Sequence, residues 1–166
     1  MIELDFLPED TAGHDRGPRG KMDFATADLY DLTYEAFRGP ITFAIDDADY
    51  SGTYPVLDVA LGLIGVTKDL ATKKRTRYCV AEGGGDFHFE RKGDLVFARL
   101  SREPKGTVAY VEFCDAAKAF MKKALQELPR KFPDLSKNSE IQALTRSYLQ
   151  RPPSRPVAQR GGPTAR

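Results

Sequence analysis

The sequence contains no tryptophan, two histidines and two cysteines. With so little histidine, a His-based active site has almost no material. His14 reads as a solvated loop residue and His88 as a surface strand residue. Cys79 and Cys114 fall in no C-x-x-C pair and no zinc spacing. Each reads as a buried small hydrophobe, and a disulfide is not expected without export. No run approaches the ~20 apolar residues of a membrane span. The first residues, Met1-Ile2-Glu3-Leu4-Asp5, lack the basic and apolar stretches of a signal peptide. The expectation is a soluble cytoplasmic protein with no membrane partner.

The 166 residues suit one domain, expected over residues 1–150. A chain of that size can hold a core without staples. Residues 151–166 carry four prolines, two glycines and four arginines but no acid. They cannot repay their ordering entropy and are expected to form a disordered basic tail. Charge is uneven along the chain. Residues 1–50 hold twelve acids against four bases, whereas residues 51–150 hold seventeen bases against twelve acids. An acidic first third can steer a basic partner toward it.

Periodicity sets the expected elements. Ile2, Leu4 and Phe6 alternate with acids as in a half-buried strand. Residues 8–21 read as loop, and 22–37 fit neither period. Gly39-Pro40 is expected to break the chain before a strand at Ile41–Ile45. Residues 55–72 form a broad apolar helix opened by Pro55, with Gly62 and Gly65 marking close packing. Four alternating runs over 77–113 make an antiparallel meander. Asp115 is the expected N-cap of a helix ended by Pro129, and a last short helix carries Ile141 to Leu149. This order predicts an α+β fold, with an antiparallel sheet of meander and N-terminal strands packed on a central helix and C-terminal helices.

Three patterns could carry function. Asp47-Ala48-Asp49-Tyr50-Ser51-Gly52 with Asp58 places oxygens at one, three, five and twelve and glycine at six, the spacing of a calcium-binding loop. Ca²⁺ needs six to eight hard oxygens, and glycine lets the chain fold round it. Against this, position twelve is the short Asp58, position nine is Pro55, and the preceding segment reads as a strand. The competing reading is a turn whose acids favour the next helix N-terminus. Asp46, Asp47 and Asp49 as catalytic carboxylates would need environments that separate their pKa values, and the sequence shows none. Lys73, Lys74, Arg75 and Arg77 form a basic run at the end of the central helix. They either complement the helix C-terminus or contact phosphate, together with the tail. The body of residues 1–150 sums to −3, which argues against nucleic acid as a partner.

Asp28-Leu29-Tyr30, Ile45-Asp46, Tyr54-Pro55-Val56-Leu57-Asp58 and Asp86-Phe87-His88-Phe89 mark a likeness over residues 22–149. Through them the chain resembles a group of small uncharacterised α+β proteins from high-GC actinobacteria. That resemblance implies a bacterial protein and carries no activity with it. The size and layout are also similar to those of immunity proteins that neutralise bacterial toxins, an analogy of architecture. The leading expectation is a non-enzymatic protein-interaction domain with a protein partner, a basic toxin being one such partner. The alternatives are a small-ligand or Ca²⁺-binding domain using residues 47–58, and a nucleic-acid binder using 73–77 and the tail.

Overall fold

Alternating Ile2, Leu4 and Phe6 form β1 (Ile2–Phe6) as their period demands. The computed structural model describes residues 1–14, 21–101 and 105–150. The expected tail lies outside them. The segment read as loop is partly regular: Pro8–Asp10 makes a 3-10 turn and Ala12–His14 a short strand, β2. The Lys131 ammonium donates to the carbonyls of Pro8, Glu9 and Thr11 at 2.6–2.9 Å. These are acceptors that a short turn leaves open.

Residues 22–37 contain a helix too short for a periodic signal, α1 (Leu29–Tyr34). Asp28 caps it, its carboxylate accepting from the Asp31 N–H at 2.8 Å. Buried Asn138 ties the preceding loop down by donating to the carbonyls of Phe24 and Ala27. The ten-residue β3 (Ala36–Ile45) then runs straight through Gly39-Pro40, against the expected break. On one edge β3 pairs with β1 and β2, and on the other with β4 (Ala48–Asp49) and β5 (Gly52–Pro55). The Phe43 carbonyl accepts from Tyr50 and its N–H donates to Ser51, so both face β4 and β5. By alternation the Pro40 nitrogen faces the other edge. That edge is interrupted there by the Pro8–Asp10 turn, so no ladder bond is lost.

The central helix α2 (Val56–Thr72) starts directly after Pro55 and buries ten of its seventeen residues. The meander follows as β6 (Arg75–Cys79), β7 (Asp86–Lys92), β8 (Leu95–Leu100) and β9 (Gly106–Ala109). It ends four residues earlier than expected. Tyr110 opens α3 (Tyr110–Lys131), with Ala109 and not Asp115 at the cap position. The reason is that Phe113, Ala117, Phe120, Met121, Ala124 and Leu128 form one buried helical stripe. Pro129 does not stop this helix. It forfeits one bond near the end, while buried Leu125 and Leu128 hold the last turn. Asn138 caps α4 (Ser139–Leu149).

The α+β class with antiparallel pairing is observed, with the N-terminal strands and the meander as two separate sheets. They meet edge-on through Tyr50. Its hydroxyl donates to the Ala98 carbonyl and accepts from the Gly106 N–H, both at 2.8 Å. Phe87 of β7 packs on Phe43 and Tyr50, with ring centroids 5.4 and 5.7 Å apart. Gly106 is required here, since a Cβ would lie 2.6 Å from that of Ile45. Helices α2 and α3 pack on each other and close the core. No described helix is long and apolar enough to cross a membrane.

Candidate functional site: a cleft between the first two helices and the meander

Three elements converge on a cleft of about 440 Å³. Helix α1 supplies Tyr30, Thr33 and Tyr34, α2 supplies Asp58 and Gly62, and β6 supplies Tyr78 and Cys79. The volume falls in the usual range for small-molecule sites. Gly62 creates the close approach: a Cβ there would lie 2.2 Å from the Tyr78 ring. The expectation for Gly62 holds, whereas nothing packs within 4 Å of a Cβ built at Gly65.

Asp58 forms the floor, 3% exposed in the first turn of α2. One carboxylate oxygen accepts from the Ala81 N–H at 2.8 Å. Burial pushes its pKa above the ordinary carboxylate value, and the Ala81 N–H and then the Tyr78 hydroxyl only partly oppose this. Among the described residues no cation pairs with it. Beside it stand two buried hydroxyls, Thr33 and Tyr78, that make no well-formed hydrogen bond among the described residues. The Tyr78 hydroxyl lies close enough to Asp58 to donate toward its carboxylate, but short of a well-formed hydrogen bond. Burial first, and the charge of that carboxylate second, push the phenol far above its normal range.

The mouth is aromatic and open. Tyr30 is 65% exposed, and its ring lies 4.8 Å from that of Tyr34. Cys79 is exposed at the rim, against the expectation that it is a buried hydrophobe. It sits on the outward-facing phase of β6, where its thiol donates to Asp86. That bond, with some burial, raises the thiol pKa and keeps the nucleophilic thiolate scarce. Cys114 is half-buried on α3.

The calcium-loop residues are not gathered by the fold. Asp47 and Asp49 lie exposed along a hairpin that pairs with β3. Asp49 accepts from the Ser51 N–H at 2.9 Å, and the Ser51 hydroxyl and N–H hold its carboxyl below the ordinary value. The Ser51 hydroxyl itself takes the Phe43 N–H. Asp58 turns away into the cleft. The physical reason is that residues 48–49 and 52–55 pair with β3, which lays Asp47 and Asp49 along the hairpin while Asp58 is buried in α2. Among the described residues no group of three or more His, Cys, Asp or Glu could hold a metal.

The basic run is also divided. Lys73 pairs with Asp69 at 2.8 Å, Arg75 with Glu90 at 2.8 Å, and Arg77 lies 3.9 Å from Asp86. Lys73 stands at the end of α2, while Arg75 and Arg77 project from β6. Lys74 is exposed between them. Sequence reading missed Thr33 and Tyr78, because neither a lone threonine nor a strand tyrosine signals an unmet hydroxyl. It reached Asp58, but for a different site.

The fold and cleft together define an α+β protein with two antiparallel sheets and a half-open polar cleft walled by tyrosines. No known family model, curated protein or solved structure matches the chain.

Proposed function

We propose that the chain is a non-enzymatic binding domain whose protein partner seats a cationic side chain, Arg or Lys, in the cleft over Asp58. The observation that carries this is the buried Asp58 carboxylate, with no countercharge among the described residues, beside the incompletely satisfied hydroxyls of Thr33 and Tyr78. A buried carboxylate with no countercharge is costly, and so is a buried hydroxyl with no partner. A guanidinium or ammonium meets both needs at once, since it brings positive charge and several donors. Tyr30 and Tyr34 at the mouth add ring faces that attract cations, and exposed tyrosines are common anchors of interfaces. Binding is favoured over catalysis because the Tyr78 phenol and the Cys79 thiol are both held protonated. A free thiol on the surface suits a reducing compartment and so supports a cytoplasmic setting. Neutralisation of a basic toxin, suggested by the layout, is one form of this activity.

The test is an NMR titration of the labelled chain with a blocked arginine peptide and its neutral citrulline counterpart. The arginine peptide is expected to shift the signals of Thr33, Asp58 and Tyr78 and to bind at least about tenfold more tightly, since the lost charge pair is worth ~1.4 kcal/mol or more. Binding should weaken as pH falls and Asp58 takes up its proton, which it does at a higher pH than an ordinary aspartate. Asp58→Asn should abolish the preference without lowering the melting temperature at pH 7. A raised folded-state pKa means that ionised Asp58 opposes folding above that pKa, so removing the charge does not destabilise. Equal affinity for citrulline, or shifts confined to other surfaces, would overturn the proposal.

A further inference from the structure

The outer face of the meander is a second surface, which adjoins the cleft at Cys79. Strand register fixes which residues share it. Arg77, His88 and Arg99 lie in one cross-strand row, and Arg75, Glu90, Phe97 and Thr107 in the next. Lys92 lies beyond the second row, and Lys105 stands just ahead of β9. The strands carry their buried side chains, Phe87, Phe89, Val96 and Ala98, on the other face. The exposed face is therefore uncovered within the described chain. Among the described residues it holds five cations, Arg75, Arg77, Lys92, Arg99 and Lys105, against two carboxylates, Asp86 and Glu90.

Those carboxylates are already engaged, Glu90 by Arg75 and Lys92, and Asp86 by Arg77 and Cys79. Arg99 and Lys105 have no carboxylate partner among the described residues. A depression of about 300 Å³ lies between Arg75, His88, Phe97, Arg99 and Lys105. Half-buried Phe97 gives the depression an aromatic surface, with the ammonium groups of Lys92 and Lys105 at 5.4 and 5.6 Å from the ring centroid. Neighbouring strands are about 4.8 Å apart, so Arg77 and Arg99 stand roughly 10 Å from each other across His88.

We infer that this face binds single-stranded nucleic acid, with one base on Phe97 and the backbone phosphates on Arg99, Lys105 and the flanking cations. Charge complementarity selects a polyanion. The aromatic ring between two ammonium groups selects a strand whose bases are free to stack, because a base and its phosphate match a ring and its neighbouring cation. A sheet whose outward aromatics and cations receive unstacked bases is an established physical solution for such strands. An acidic protein would satisfy the cations but not use the ring. The basic run of the sequence thus contributes through Arg75 and Arg77, and the residues that complete the surface come from β8 and the start of β9.

The test uses the full chain and fluorescence anisotropy with labelled twelve-nucleotide oligo(dT) and oligo(U). Binding is expected at ~50 mM salt and should fall steeply as salt rises. The double variant Arg99→Ala/Lys105→Ala should bind at least ten times more weakly and with a salt slope flatter by about two. Phe97→Leu should weaken binding by about fivefold or more and leave the slope unchanged. Arg99 and Lys105 are outside the buried core and Phe97 is half-buried, and circular dichroism is used to check that each variant folds. No binding at low salt, wild-type affinity in both variants, or tighter binding of a labelled polyglutamate than of either oligonucleotide would overturn the inference. The second outcome would place any affinity in the arginine-rich C-terminal residues, and the third would assign the face to acidic protein.

Discussion

Thr33 and Tyr78 each hold a buried hydroxyl that nothing in the described chain fully satisfies. Such a group costs about 1–3 kcal/mol when left dry. Asp58 adds a charge that burial disfavours. A fold tolerates such residues more readily when something else profits from them, and here all three face one cleft. The variants Thr33→Val and Tyr78→Phe keep shape and remove the unmet group. Each should raise stability by roughly 1 kcal/mol, a gain of about 2–4 °C in melting temperature. Each should also weaken the arginine peptide measured by the same titration. Calorimetry reporting a lower melting temperature for Tyr78→Phe would show that the phenol is bonded to Asp58 in solution. At this scale little was legible beforehand. Asp58 stood out only through its spacing from Asp47. The burial of a hydroxyl is settled by three elements meeting, and no single stretch of sequence encodes that.

Elements were more legible than residues, because hydrophobic period is a local property. The strand at the N-terminus, the apolar helix and the first three runs of the meander follow from period alone. The errors share one cause. Pro40, Pro129 and the Tyr110–Phe113 stretch were read by local rules that tertiary context overrides. Pro40 is tolerated because the facing strand is interrupted, and Pro129 because it costs one bond at a well-packed helix end. The contact between the two sheets is likewise invisible in sequence. It depends on Tyr50, whose hydroxyl serves Ala98 and Gly106 together. Tyr50→Phe leaves a buried carbonyl and a buried N–H unmet. A loss of about 2–3 kcal/mol is expected in urea unfolding, with an unchanged m-value because the exposed area is the same. Ser51→Ala, by comparison, frees only the partly buried Phe43 N–H and should cost less.

At the scale of the whole molecule, the acidic first third and the basic remainder interlock. Asp5 pairs with Lys123 of α3, and the Lys131 ammonium seals the turn after β1. The charge asymmetry of the sequence is thereby partly cancelled in space, and among the described residues two local features stand out: a buried carboxylate without a countercharge in the cleft and a surplus of cations on the meander. The layout places the long strand β3 at the centre of its sheet, paired on both edges, while α4 buries Ile141 alone. This arrangement grades the molecule by how readily its amides meet solvent. Deuterium should enter α4 through local opening within minutes to hours. The amide of Ala44, flanked by β1 and β4, should exchange only when the entire fold opens, and its protection then measures the global free energy of unfolding.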